Sequence, residues 1–211
     1  MITNIKYNTN PSILHMCGAL NHLNIDMYTG AKDAYFEDVT ILTAISDDRE
    51  DRLRKYFSDR QEYLAGVNKG KWQNRLKIPI FHSLLQRVKT RYALLLDNDD
   101  VVVIRQSLDN EVYKHKALVQ HSNKRNLPKF HVNSGCVFGE RDFLLEWYGK
   151  TLDMDNYLTE WIKVACHPDM VKSDELRLNY TAVNSGLKVD IDERRILVQP
   201  PNYEEFYETN G

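Results

Sequence analysis

Cysteine is scarce in this sequence, and its three copies form no closely spaced pair. Cys17, Cys136 and Cys166 are far apart and odd in number, which excludes a disulfide-rich scaffold and a CxxC-type zinc or redox motif. They are most simply reduced thiols, so we predict a cytoplasmic protein. The N-terminal stretch MITNIKYNTNPS lacks the apolar run of a signal peptide, in agreement with that prediction.

Long apolar runs, internal repeats and an excess of one charge are also lacking. No stretch approaches the ~20 apolar residues of a membrane span, so we expect no membrane partner. With 28 basic and 30 acidic residues, the chain has no overall basic field for nucleic acid. Hydrophobic residues make up 42% of 211, which suffices for a core, and the length predicts a single domain over residues 1–211.

Apolar strand-like runs alternate with helical patterns along the chain. Residues 39–45 and 92–96 are continuous apolar runs, typical of strands buried on both faces of a parallel sheet. Helical spacing is predicted for residues 49–63, 72–88, 143–161 and 173–183, and shorter strands for 11–16, 101–104, 132–138, 189–191 and 196–199. This order predicts an α/β fold, a single Rossmann-like domain with a mainly parallel central sheet flanked by helices. Ligands are expected at the carboxyl ends of its strands.

An acidic cluster follows the strand at residues 92–96. Asp97, Asp99 and Asp100 lie within four positions, and because like charges this close repel, we expect a compensating cation. Mn²⁺ or Mg²⁺ fits carboxylate oxygens and would neutralise a departing diphosphate. The alternative is an acidic turn, since Asp and Asn favour turns through local hydrogen bonds.

Two enzyme families place such a cluster after a strand. In haloacid-dehalogenase-type phosphatases, Asp97 would be the nucleophile and Asp99 the acid/base, and Val101 also fits the pattern. In glycosyltransferases of the GT-A type, a DxD or DxxD motif in the same setting binds the metal. The remaining motifs of the chain are needed to choose between them.

Four motifs, in order, resemble the glycosyltransferase domain of procollagen lysyl hydroxylases. The segments LLLDNDDVVVI, KFHVNSGCVFGE, KSDELRLNYTAV and VDIDERRILVQ are similar to that family's FVDSYDVIL, YLNSG, DDQLFYT and LDHxxRIFQ segments. With VTILTAISDD as the first nucleotide-binding strand, the matches keep their order between residues 39 and 199. A phosphatase would leave the Asn-Ser-Gly unit without a role, so we predict a metal-dependent glycosyltransferase of the GT-A fold.

The resemblance implies a set of site residues. Asp97 and Asp100 correspond to the DxxD metal ligands, with Asp99 as a further candidate ligand, and Asp174 would face the sugar or the attacking hydroxyl. The donor is expected to be a nucleoside diphosphate sugar, with UDP implied by the resemblance alone. The other residues expected to contact the donor are Asn133, in a catalytic role, and Thr43, Ala44, Ile45, Asp99, Ser134 and Gly135.

Some of these assignments have simpler alternatives. Asn-Ser-Gly at 133–135 also suits a β-bulge or tight turn, and Asp174 also suits a helix-cap acid. Lys71, Arg75 and Lys77 precede the acidic strand and are candidates for phosphate contacts. Such basic residues more often form a solvated face of a helix.

The third metal ligand of the resembling family does not appear at its usual place. That family carries a His in a late IHGNG-like segment, whereas this sequence has no His after His167. The N-terminal PSILHMCGAL is similar to the missing segment, with His15 and Gly18 in the matching positions. We predict that segment 1–38 supplies the missing strand, as in a circular permutation, and that His15 is the third ligand. The alternative is an ordinary core or surface histidine.

The acceptor is not indicated by any motif. A glycan, a protein or a modified nucleic acid all remain open as partners. The basic stretch at residues 114–129 could contact a polyanionic acceptor or form a solvated loop, and the loop is the simpler interpretation. Besides the phosphatase, a non-catalytic binding module with the same fold stays open as a third function.

Overall fold

The computed structural model describes residues 2–16, 30–121, 132–153, 173–199 and 206–208. The strands there are β1 (Ile2–Asn4), β2 (Ile13–His15), β3 (Val39–Ser46), β4 (Tyr63–Asn68), β5 (Tyr92–Asp97), β6 (Val101–Val103), β7 (Ala117–His121), β8 (Val132–Glu140), β9 (Asp190–Ile191), β10 (Val198–Gln199) and β11 (Phe206–Glu208). The α-helices there are α1 (Lys77–Leu85), α2 (Arg141–Asp153) and α3 (Asp174–Asn184).

The main sheet has six strands in the order β4-β3-β5-β8-β7-β9. The pairs β4–β3, β3–β5 and β7–β9 are parallel, while β8 runs antiparallel to both β5 and β7. The fold is therefore mixed α/β, with a parallel arrangement over β4, β3 and β5 and a mixed remainder. Because β8 runs against β5, its N-terminal half lies beside the carboxyl end of β5, with Cys136 opposite Leu96.

Two apolar layers cover the two faces of this sheet. Alternation along β5 directs Ala93 and Leu95 to one face and Leu94 and Leu96 to the other. The face of Leu95 is covered by apolar residues of α1, α2 and α3, including the fully buried Trp147. The face of Leu94 is covered by loop residues and by the short strands β2, β6 and β10.

A second sheet of three strands, in the order β10-β2-β6, carries the N-terminal segment. β2 lies parallel to β10 and antiparallel to β6, with His15 opposite Val101. The backbone N–H of Met16 donates to the carbonyl of Asp100 at 2.7 Å. The end of β2 is thereby attached directly to the acidic loop that follows β5. β1 and β11 form a separate antiparallel pair.

The helix predicted for residues 49–63 is wrong. This stretch holds only a 3-10 turn at Arg54–Tyr56, and β4 begins at Tyr63. Asp51 competes with helix formation, because its Oδ1 accepts from the backbone N–H groups of Leu53 and Arg54 and from the hydroxyl of Tyr63. The apolar spacing arises from core contacts made by a loop.

Other predicted elements are found with changed limits. α3 begins as predicted, with the hydroxyl of Ser173 accepting from the N–H of Leu176 at 3.3 Å. α1 is shorter than predicted. β7 lies within the basic stretch of residues 114–129, where no strand was predicted. Residues 154–161 of the predicted third helix, residues 122–129 of the basic stretch, Gly18, Cys17 and Cys166 lie outside the described residues. Cys136 is a buried free thiol, and among the described helices none has the length and apolarity to span a bilayer.

Candidate metal and donor site

Three potential metal ligands converge at the carboxyl end of β5. His15 comes from the end of β2, Asp97 from the end of β5 and Asp100 from the following loop, and one ligand atom of each lies within 4.8 Å of the others. The Nε2 atom of His15 lies 3.3 Å from Oδ2 of Asp100. These are the three residues predicted as metal ligands, and the tertiary structure brings them together across 85 positions of sequence.

The imidazole of His15 is fixed by its second nitrogen. Nδ1 lies 2.5 Å from Oε1 of the buried Gln120, and since an amide oxygen only accepts, Nδ1 is the donor. Nε2 is buried and faces Oδ2 of Asp100. Burial opposes the charged imidazolium, but the Asp100 and Asp97 carboxylates outweigh it and raise the pKa of His15. Orientation of a ligating imidazole through its other nitrogen is usual at metal centres.

Gly135 on β8 provides the space for this cluster. A Cβ atom there would lie 2.1 Å from Cε1 of His15, 2.5 Å from its Nε2 and 3.0 Å from Oδ2 of Asp97. Any side chain would therefore enter the volume between the imidazole and the carboxylate. The buried Nε2, the glycine cradle and the mixed nitrogen and oxygen donors together fit a divalent ion.

Lys77, the first residue of α1, supplies the cation nearest to the cluster. Its ammonium pairs with Asp97 and lies 3.7 Å from Oδ2 of Asp174. Burial disfavours the charged amine, yet the charges of Asp97 and Asp174 outweigh it and raise the pKa of Lys77. Of the three basic residues singled out before the acidic strand, Lys77 is the one buried in the site. Lys71 lies at the edge of the cavity, and Arg75 is exposed and lines neither cavity described below.

Asp174 is held at the start of α3 by a neighbouring strand. The hydroxyl of Ser134 donates to Oδ2 of Asp174 at 2.6 Å, and Asp174 is buried. Asn133 uses its Oδ1 to accept from the N–H of Gly135 at 2.9 Å. The predicted donor-contacting residues of β8 therefore lie next to Asp174 and to the three potential ligands.

The Asn-Ser-Gly unit forms an irregular part of β8. The pairing with β7 jumps from Val119 opposite Val137 to Gln120 opposite Asn133, so residues 134–136 have no partner on β7. A bulge bends its strand and redirects side chains. The bulge interpretation of this motif agrees with the structure, and the bulge brings Ser134 and Gly135 to the potential ligands, while contact with a donor stays a prediction.

Two adjoining cavities share the acidic cluster as a common wall. The first, about 530 Å³, contains His15, Asn133, Ser134 and Asp174, and the second, about 310 Å³, lies at the carboxyl end of β3. Both are lined by Trp72, Asn74, Lys77, Asp97 and Asp100. The potential metal ligands thus stand at the junction of two compartments.

The residues at the end of β3 have two different roles: some line the second cavity, and one stabilises the pairing of β3 with β5. Ala44 and Ile45 line the second cavity, together with Ser46 and Arg49. Thr43 does not, because its side chain is buried and its hydroxyl donates to the carbonyl of Leu96 at 3.0 Å. It supports the β3–β5 pairing.

Asp99 lies outside the cluster of potential ligands. Its Oδ1 accepts from the amide of Asn98 at 3.0 Å and its Oδ2 pairs with Arg49. Asp99 lines the second cavity, and the donor contact predicted for it stays a prediction.

Several contributors were missed from sequence. The second cavity is lined by Ser46, Arg49, Trp72, Asn74 and Asn98, and Gln120 orients His15. Only Asn98 carried a local signal, as the polar member of the acidic run. Gln120 had no local signal, since it lies in β7, a strand that was not predicted from the sequence.

Comparison with known proteins finds similarity at the level of structure. No family model matches the chain, and no curated protein matches it. It is similar in structure to a glycosyltransferase involved in the glycosylation of the major capsid of PBCV-1, with 13% identity and a TM-score of 0.42, over 77% of this chain and 82% of that chain. At this level of similarity, function is inferred from the site alone. The resemblance to the procollagen lysyl hydroxylase domain rests on the sequence motifs and stays a prediction.

Proposed function

We propose that the protein is a metal-dependent glycosyltransferase that moves a sugar from a nucleoside diphosphate sugar, with UDP as the nucleotide, to an acceptor hydroxyl. One observation carries this proposal: His15, Asp97 and Asp100 offer convergent ligand atoms at the junction of two polar cavities. A nucleotide-sugar donor consists of a nucleoside and a sugar joined by a diphosphate, which would bind the metal. The site likewise consists of two cavities with the potential metal ligands between them.

Each part of the site is assigned a task. His15, Asp97 and Asp100 would hold Mn²⁺ or Mg²⁺, which when bound offsets the negative charge of the diphosphate. The second cavity, lined by Ala44 and Ile45, would be the nucleoside compartment, and the first cavity would take the sugar. The role of β2 as a replacement for a C-terminal ligand strand is supported by its position between β10 and β6.

The chemical step forms a bond from the acceptor oxygen to the anomeric carbon and breaks the bond from that carbon to the phosphate oxygen. The bonding electrons leave with the diphosphate. If configuration is inverted, Asp174 takes the hydroxyl proton as the general base. If it is retained, Asp174 orients the sugar and the proton passes to the leaving phosphate oxygen. In both cases Ser134 and Lys77 hold the Asp174 carboxylate in place.

A phosphatase of the haloacid-dehalogenase type is not favoured by this geometry. It needs Asp99 to transfer protons beside the nucleophile Asp97. Here Arg49 and Asn98 bind the two carboxylate oxygens of Asp99, and Lys77 pairs with Asp97. Asp97 and Asp100 instead converge with an imidazole, which suits metal binding.

A donor screen tests the proposal. The protein is incubated with Mn²⁺ and a panel of nucleotide sugars, with glycan, protein and modified nucleic-acid acceptors, and released nucleoside diphosphate is measured. We expect release from one donor, lost in Asp97→Asn and His15→Ala and retained in Asp59→Asn, whose carboxylate is fully exposed. Hydrolysis of p-nitrophenyl phosphate with Mg²⁺, without UDP binding, would establish the phosphatase instead. Absence of metal binding and of both reactions would establish a non-catalytic module.

A further inference from the structure

Arg49 follows β3 by three residues and lines the nucleoside compartment. Its side chain contacts the second cavity and, among the residues described, is not part of the lining of the first. Its guanidinium pairs with Oδ2 of Asp99 while the side chain remains 57% exposed. A guanidinium has five N–H donors in a fixed plane, so one carboxylate leaves donors directed elsewhere.

The position of Arg49 relative to the metal cluster is set by the buried Asn98. Oδ1 of Asn98 accepts from the N–H groups of Arg52 at 2.8 Å and Leu53 at 3.4 Å. Its Nδ2 donates to the carbonyl of Glu50 and to Oδ1 of Asp99, both at 3.0 Å. The loop that carries Arg49 is thus attached to the loop that carries Asp99 and Asp100, and the two loops form one unit.

Charge in the second cavity indicates what Arg49 recognises. The cavity is lined by Asp97, Asp99 and Asp100 and by two cations, Lys77 and Arg49. Lys77 is buried and directed at Asp97 and Asp174. Of the two lining cations, Arg49 is therefore the exposed one. Guanidinium groups match phosphate oxygens in charge and in geometry.

We propose that Arg49, oriented by Asp99, binds phosphate oxygens of the donor nucleotide. This rests on the proposed function and assigns the nucleotide end of the donor, not the sugar, to Arg49. An exposed ion pair contributes little to folding stability, so replacement of Arg49 leaves the fold intact. The effect of the substitution is then a direct measure of binding.

Calorimetric titration of the full chain with UDP in the presence of Mn²⁺ tests this assignment. Arg49→Ala should weaken UDP binding about tenfold, as expected for a lost hydrogen bond to a charged group, and Arg49→Lys should weaken it less. Arg52→Ala is the matched control, since it removes the same charge from the same loop without altering the second cavity. Asp99→Asn should weaken UDP binding while the affinity for Mn²⁺ alone is unchanged.

The outcomes separate this inference from the function on which it rests. If the wild type binds no UDP with Mn²⁺, both are overturned. If it binds UDP and Arg49→Ala binds equally well, the inference alone is overturned. Titration with uridine, which has no phosphate, shows which part of the nucleotide Arg49 contacts. Equal uridine affinity in wild type and Arg49→Ala supports the phosphate assignment. A loss of uridine affinity in Arg49→Ala similar to its loss of UDP affinity refutes it in favour of the base or ribose. Loss of Mn²⁺ affinity in Asp99→Asn would also refute it, by making Asp99 a metal ligand.

Discussion

Replacing Gly135 by alanine tests the metal cluster through a residue that carries no ligand atom. The new methyl would lie 2.1 Å from Cε1 of His15 and 3.0 Å from Oδ2 of Asp97. His15 has no room to withdraw, because its ring is 1% exposed and its Nδ1 is bound to Gln120. Gly135 does not have a positive φ, so alanine fits the backbone and the cost is purely steric.

The expected cost follows from overpacking. An extra methyl in a packed interior destabilises by about 1–3 kcal/mol, which exceeds the roughly 0.5–1 kcal/mol that alanine gains over glycine in a strand. Removing the imidazole relieves the contact. In a double-mutant cycle, Gly135→Ala should therefore cost at least about 1 kcal/mol less in a His15→Ala background than in the wild type.

Urea unfolding gives the stability changes, and calorimetric titration with Mn²⁺ gives the metal affinity. Gly66→Ala is a matched control, because a Cβ at Gly66 would lie 2.3 Å from Cγ2 of Ile80 and has Ile80 and Leu84, and none of the potential ligands, as its nearest neighbours. We expect Gly66→Ala to lower stability and leave Mn²⁺ affinity unchanged, and Gly135→Ala to lower both. Normal Mn²⁺ binding by Gly135→Ala, with no coupling to His15, would refute the cluster as the metal site.

Three further outcomes are expected. Because Asp100 and Asp97 raise the pKa of His15 against its burial, Mn²⁺ affinity should rise about tenfold per pH unit below that pKa, and His15→Ala should remove this dependence. In the metal-free protein the same raised pKa stabilises the fold below about pH 6.5. Urea titrations should show this stabilisation lost as the pH rises through the pKa of the folded state. Ser134→Ala should lower kcat about tenfold without changing Mn²⁺ affinity, because it removes a hydrogen bond to Asp174 and no metal ligand. Asp192→Ala should lower the free energy of unfolding by roughly 3 kcal/mol, since three backbone N–H groups of residues 196–198 lose their acceptor; unchanged unfolding would contradict that role.

Local pattern was sufficient where neighbouring residues settle the structure. The apolar runs at β3 and β5 and the Ser173 cap of α3 were predicted from sequence, because burial pattern and capping act over a few residues. The helix prediction for residues 49–63 was wrong because it used only this local pattern. Their apolar spacing was helical, but the loop is fixed by Asn98, about forty-five residues away.

The sequence by itself determined the α/β class and the acidic cluster after β5, since these rest on residue types and spacing, and the resemblance of its N-terminal segment made His15 a candidate ligand. Only the tertiary structure decided which acidic side chains converge, with Asp97 and Asp100 meeting His15 while Asp99 pairs with Arg49. It also decided that Lys77, and not Arg75, enters the site, and that Gly135 makes room for the imidazole. The physical reason is that such contacts depend on strand order and the β8 bulge, which join residues that have no relation along the chain.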